Sequence, residues 1–157
     1  MMLNVITDIF KPNEKVDSLF GVLKFRRAFV LFGTGYWDGK AYFEPLEKSI
    51  NIYMTAGKSA SLEKEHEFYR QVEKHYPEII DATLKILYET LLQYHGTYFQ
   101  DDTREEVLAD CELDGVILPN AKDPNAEWGL SFMYSPHKDT YSIYFDGWKP
   151  IYGLFDD

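Results

Sequence analysis

SLEKEHEFYRQVEKHYPEIIDATLKILYETLLQYHGTY, residues 61–98, is the one long segment of the chain whose apolar positions recur at helical rather than strand spacing. Leu62, Phe68, Tyr69, Val72 and Tyr76 follow that spacing, with Glu65 the polar exception. Beyond them Ile80, Leu84, Leu87, Leu91, Tyr94 and Tyr98 recur at steps of four, three, four, three and four. Such a stripe buries one side of a helix against a core. Ser61 suits an N-cap, and Glu63 and Glu65 stand in the first turn, where the helix dipole favours acids. Pro77 has no N–H to donate and crowds the preceding turn, but it fits the first turn of a new helix. The sequence therefore predicts a pair of helices that meet at Pro77, the second one weakening near Gly96.

On both sides of this segment the period falls to two. Ser18 to Phe25 and Ala28 to Phe32 read as strands, with Arg26-Arg27 a turn or bulge between them and Gly33-Thr34-Gly35 a break. In Tyr36 to Phe43, Asp38-Gly39 signals a tight hairpin turn or a bulge inside one strand. After a turn at Pro45 to Lys48, Ile50, Ile52 and Met54 share one side of a strand. Downstream, Leu113 to Leu118, Trp128 to Tyr134, Thr140 to Phe145 and Pro150 to Phe155 read as strands, with turns at Ser135 to Asp139 and at Asp146-Gly147. The polar stretch 99–110 holds one or two helical turns, because Thr103 and Glu106 have capping-box spacing; Asp102 is an alternative cap. Clustered strands, clustered helices and strands again give an α+β fold. The expectation is a single domain over 1–157: an antiparallel sheet formed by N- and C-terminal strands, with a central helical pair packed on one face.

Composition narrows the function classes. The chain carries a net charge of −10. Residues 1–98 hold 13 acids and 12 bases, whereas residues 99–157 hold 13 acids and only 4 bases. A surface of that sign repels phosphate backbones and speeds the approach of a basic partner, so nucleic acid is not expected and a basic protein partner is. A lone cysteine, Cys111, excludes an internal disulfide and suits a reducing compartment. Its neighbours Asp110 and Glu112 disfavour a thiolate. The first residues lack a basic n-region and a cleavage signal, and no apolar run approaches the roughly 20 residues of a membrane helix. The expected location is cytoplasmic, without membrane contact. Aromatic residues are abundant at 17%, with 12 Tyr, which suits half-buried sheet faces or a recognition face.

The search for chemistry is negative for catalysis, metals and cofactors. Gly33-Thr34-Gly35 has no third glycine at dinucleotide-fingerprint spacing, and there is no phosphate-loop pattern. His66 and His75 are nine residues apart, on opposite faces of a helix, while His95 and His137 stand elsewhere, so no metal-ligand spacing arises. Neither a Gly-x-Ser-x-Gly elbow nor a Cys with an evident base is present. What remains is a dense acidic cluster, Asp101, Asp102, Glu105 and Glu106, and two tryptophans beside Asp-Gly pairs, Trp37 and Trp148. The acids are the expected partner-binding residues. The tryptophans are either lids over the end of the core or interface anchors.

The order Trp37-Asp38-Gly39, the strand Ile50 to Met54, the aromatic helical stretch Tyr76 to Tyr98 and the turn Asp146-Gly147 resembles a loose group of bacterial uncharacterised Trp-x-Gly α+β domains. Some of those domains resemble immunity proteins of polymorphic toxin systems. The resemblance spans residues 27–155 and brings no catalytic residues with it. It implies a non-enzymatic, acidic protein-binding module that masks a basic protein partner. Two other readings stay open: a small-molecule enzyme using a carboxylate–histidine pair, and a self-associating structural domain. The oligomeric state is not legible.

Overall fold

The computed structural model describes residues 13–26, 35–55, 61–123 and 125–156. Eight strands form one sheet in chain order: β1 (Glu14–Asp17), β2 (Gly21–Arg26), β3 (Tyr36–Phe43), β4 (Lys48–Met54), β5 (Cys111–Ile117), β6 (Trp128–Tyr134), β7 (Asp139–Asp146) and β8 (Lys149–Asp156). All neighbours are antiparallel except β4 and β5, where Asn51, Ile52 and Tyr53 run parallel to Gly115, Val116 and Ile117. The fold is mixed α+β, and the expected all-antiparallel sheet is corrected at this seam. Two four-stranded meanders lie side by side. A tight turn cannot join parallel neighbours, so the chain returns along the sheet through a helix. That crossover contains α1 (Glu63–His95), a 3-10 turn (Gly96–Phe99) and the short α2 (Arg104–Ala109).

The expected helical pair is instead one helix of 33 residues with Pro77 inside it. An internal proline costs about 3 kcal/mol. Against that stand Tyr69, Val72, Leu87 and Leu91, each fully buried and each worth about 1.5–3 kcal/mol. Their stripe keeps one phase through the proline, so packing on both sides of it holds the axis. The buried stripe runs through Tyr76, Ile79, Thr83, Leu87 and Thr90, while Tyr94 and Tyr98 are exposed. Polar threonines occupy core positions because each hydroxyl donates back to the helix, Thr83 to the Ile79 carbonyl and Thr90 to the Ile86 carbonyl, both at 2.7 Å. The N-cap is Leu62, without a side-chain cap, rather than Ser61. The capping box at α2 forms as its spacing predicts: Thr103 accepts from the Glu106 N–H and Glu106 accepts from the Thr103 N–H.

Near the N-terminus the expected strand from Ser18 begins late. Asp17 Oδ1 accepts the N–H groups of Leu19 and Phe20 at 2.8 Å each, which folds 18–20 into the β1–β2 turn. The expected strand Ala28 to Phe32, Arg27, and Gly33-Thr34 of the break lie outside the described residues. Asp38-Gly39 is not a turn but the middle of β3. The glycine there answers to space: a Cβ on Gly39 would lie 2.5 Å from Leu23 Cδ2 and 2.8 Å from the Phe20 carbonyl oxygen.

Directly opposed residues share a face, so the pairing sorts the side chains. Trp37, Ala41, Ile52, Val116, Leu130, Ile143 and Gly153 belong to the face covered by α1. There Phe43 meets Tyr69 and Tyr76 edge-on, and Phe68 meets Trp128. The opposite face, left open by the described helices, carries the row Asp38, Tyr53, Ile117, Gly129, Tyr144 and Tyr152 across β3 to β8. Beside it run Ser131, Ser142 and Leu154 on β6, β7 and β8.

Candidate functional site

The open face is where the strand alternation places polar groups among aromatic ones. A basin of about 700 Å³ is sunk into it. Its wall residues include Tyr36, Tyr53, Ser131, Ser142, Tyr144 and Asp156, with Asn120 and Glu127 at the rim strands' ends; none of the described lining residues is basic. Period two makes this surface: in β7 Tyr141, Ile143 and Phe145 on the helix side alternate with Thr140, Ser142 and Tyr144 on the basin side, Ser142 itself being buried at its floor.

Hydrogen bonds fix the carboxylates of the basin. Ser142 Oγ donates to Asp156 Oδ2 at 2.5 Å, and Tyr152 OH donates to Glu127 Oε2 at 2.5 Å. Tyr144 stacks on Tyr152 with centroids 5.2 Å apart, and Tyr36 meets Tyr53 at 6.4 Å. Burial and hydrogen bonding set the ionisation of these groups first, and nearby acids add to it for the phenols. Burial pushes the Asp156 carboxyl up, with the Ser142 bond opposing it. Burial also raises the Tyr53 phenol, and Asp114, Asp38 and Asp156 add to that. For Tyr144, burial and then Asp156 act in the same direction. The hydrogen bond to Glu127, helped by burial, holds the Tyr152 hydroxyl up at about 12. All these phenols therefore stay protonated near neutral pH and present neutral rings to a ligand.

On the same face, a second, polar hollow of about 310 Å³ lies beside Lys40, Lys48, Asn51, Glu112 and Asp114. Lys48 pairs with Glu112 at 3.6 Å and Asn51 donates to Asp114 at 3.1 Å. Lys40 and Lys48 thus stand on the β3–β5 side and Arg26 on β2 beside Tyr36, while the described lining of the larger basin carries carboxylates and no base.

The residues singled out from sequence are not brought together. Asp101, Asp102, Glu105 and Glu106 are exposed around the start of α2. Glu106 is held by the cap, where the Thr103 backbone N–H and then its side chain keep the carboxyl below its ordinary value. Trp37 is fully buried, edge-on to Phe25 and beneath the Lys15 ammonium; it belongs to the core, not to an exposed anchor site. Trp148 is half-buried at the opposite end of β7 from α2, stacked on Phe68 at 5.7 Å and against His75 at 4.3 Å.

Polar pairs elsewhere have structural work. His66 Nε2 lies 2.9 Å from both Asp17 oxygens and ties the β1–β2 turn to α1. Burial alone would raise the Asp17 carboxyl, but the Phe20 and Leu19 N–H groups and His66 together hold it below its ordinary value. This is a carboxylate–histidine pair, yet it lines neither of the two hollows described above. His95 Nδ1 meets the buried Tyr141 hydroxyl at 2.5 Å, and His137 stacks between Tyr98 and Tyr134. Cys111 donates to the Val107 carbonyl, and burial followed by Asp110 pushes its thiol up to about 12. Among the described residues no group of three or more His, Cys, Asp or Glu side chains is arranged to hold a metal ion, and no helix is long and apolar enough to cross a membrane.

The basin was missed in sequence because Glu127 and Asp156 are far apart along the chain and carry no local motif. Only the alternation of β7 pointed toward it. Comparison of the chain with family models, with curated proteins and with solved structures found no match.

Proposed function

We propose that the protein is a non-enzymatic, immunity-like binding module that masks a basic protein partner, and that it does so with the open face of the sheet. One observation carries this reading: the large basin on that face joins tyrosine rings to two carboxylates and has no cation among its described lining residues. Long-range attraction from the acidic last third of the chain would speed the encounter, and the rings would supply contact area at low entropic cost. The acidic cluster around α2 contributes to the field, and none of its four acids lines either of the two hollows.

The test is a chemical-shift titration with an arginine-rich peptide and a glutamate-rich peptide of equal length. The reading expects the basic peptide alone to bind, in a salt-sensitive manner, with shifts centred on Tyr53, Ser131, Ser142 and Tyr144. Shifts centred on residues 101–106, or spread evenly over the surface, would overturn it.

A further inference from the structure

The open face already holds one guanidinium. Arg26 Nε donates to Asp38 Oδ2 at 2.9 Å, and Arg26 stands directly opposite Tyr36 in the β2–β3 pairing. Carboxylate, tyrosine and arginine thus meet at one end of the row that crosses the sheet. At the other end carboxylate and tyrosine recur, with no arginine among the described residues that line it. Asp156 stands opposite Thr140, its Oδ2 accepts from Ser142, and its charge reaches the Tyr144 hydroxyl. Glu127 is close by, bonded to Tyr152.

We propose that this end of the basin seats an arginine side chain of the basic protein partner, its guanidinium plane against Tyr144 and its N–H fork on Asp156. The proposal rests on the binding-module reading and names the group that the module grips. Charge complementarity selects a cation, since the described lining of the basin offers carboxylates and hydroxyl oxygens and no basic side chain. Two features select arginine among cations. A guanidinium has five donors, which the carboxylates and the hydroxyls of Ser131, Thr140 and Ser142 can accept. It is also planar and weakly hydrated, so it stacks on a ring in an open basin, where a lysine ammonium would keep its water. The basin, about 700 Å³, is large enough for a side chain that enters with part of its backbone and leaves water around it.

The experiment titrates the full chain with capped arginine amide, capped lysine amide and free arginine, read by amide shifts and tyrosine fluorescence. Capped arginine is expected to bind in the millimolar range with shifts at Ser142, Tyr144 and Asp156, and more tightly than capped lysine. Asp156→Asn is expected to weaken it about tenfold, and Tyr144→Leu to weaken it as well. Thermal melts of both variants verify that they fold, and Tyr42→Leu, on an exposed ring of the same face outside the basin, is expected to bind like the parent. Equal binding of the lysine and arginine probes, or full binding by Asp156→Asn, would overturn the arginine seat. Free arginine binding better than the capped form would also overturn it, because the occupant would then be the amino acid. If those probes fail while the arginine-rich peptide still maps to the basin, only this inference falls. If the peptide maps elsewhere, both fall.

Discussion

Replacing Gly153 by alanine tests how α1 sits on the sheet. Gly153 lies on β8 opposite Ile143, beneath Thr90 of the helix. A Cβ there would stand 2.1 Å from Thr90 Oγ1, 3.0 Å from Thr90 Cβ and 2.7 Å from Ile143 Cδ1. The isoleucine tip can swing away; the threonine cannot do so cheaply. Its hydroxyl donates to the Ile86 carbonyl and its side chain is 3% exposed. Overpacking of this kind costs about 1–3 kcal/mol, and loss of the hydroxyl's hydrogen bond adds about 1 kcal/mol. The lower entropy of the unfolded alanine chain returns about 0.4–1 kcal/mol. The net loss is about 2–3 kcal/mol, a fall in Tm of about 4–12 °C for a chain of this size. Urea unfolding of Gly153→Ala, Thr90→Ala and the double variant measures it. Removing the Thr90 hydroxyl and methyl relieves the nearest clash, so the double variant should be more stable than the sum of the single losses predicts, by about 1 kcal/mol or more. Full stability of Gly153→Ala, or strict additivity, would refute this packing of helix on strand.

Three further outcomes follow from individual groups. The Cys111 thiol, pushed up to about 12 from its ordinary 9.0, should react with iodoacetamide at about pH 8 roughly a thousandfold more slowly than an unperturbed thiol; reaction at the unperturbed rate would show that burial is absent. Asp17 is held below 3.8 in the fold, so its stabilising contribution is complete above that value and is lost as pH falls through the lower folded one. The gap in Tm between the parent and Asp17→Asn should therefore be widest near neutral pH and close in acid; a gap that widens on acidification contradicts the pairing. Thr103→Ala removes the acceptor for the Glu106 N–H and should cost about 1 kcal/mol, seen as faster amide exchange in residues 104–109.

Much of the layout was legible wherever one local rule governed a segment. The alternation of β4 and β7 and the Thr103–Glu106 spacing led directly to the observed elements. The misreadings occur where tertiary contact outweighed a local preference. Pro77 breaks helices in isolation, yet here buried rings and aliphatic groups on both sides carry the helix through it. Asp38-Gly39 has turn chemistry, but its glycine is required because the Phe20 carbonyl and Leu23 crowd β3. The parallel β4–β5 seam leaves no local trace, because it is made by strands on either side of the crossover. The contiguous acids at 101–106 stood out in the sequence; they are exposed around the start of α2, where Glu106 closes the capping box. The basin had no comparable signal, being assembled from single residues on several strands.

The most direct measurement sets these two acidic surfaces against each other. Affinity and salt dependence for an arginine-rich peptide are compared between an Asp156→Asn, Glu127→Gln variant and an Asp101→Asn, Asp102→Asn, Glu105→Gln variant. The account predicts that the basin variant loses most of its binding, while the α2 variant keeps its affinity and loses only part of its salt-dependent association rate. A basin variant that binds like the parent, with binding abolished in the α2 variant, would contradict it.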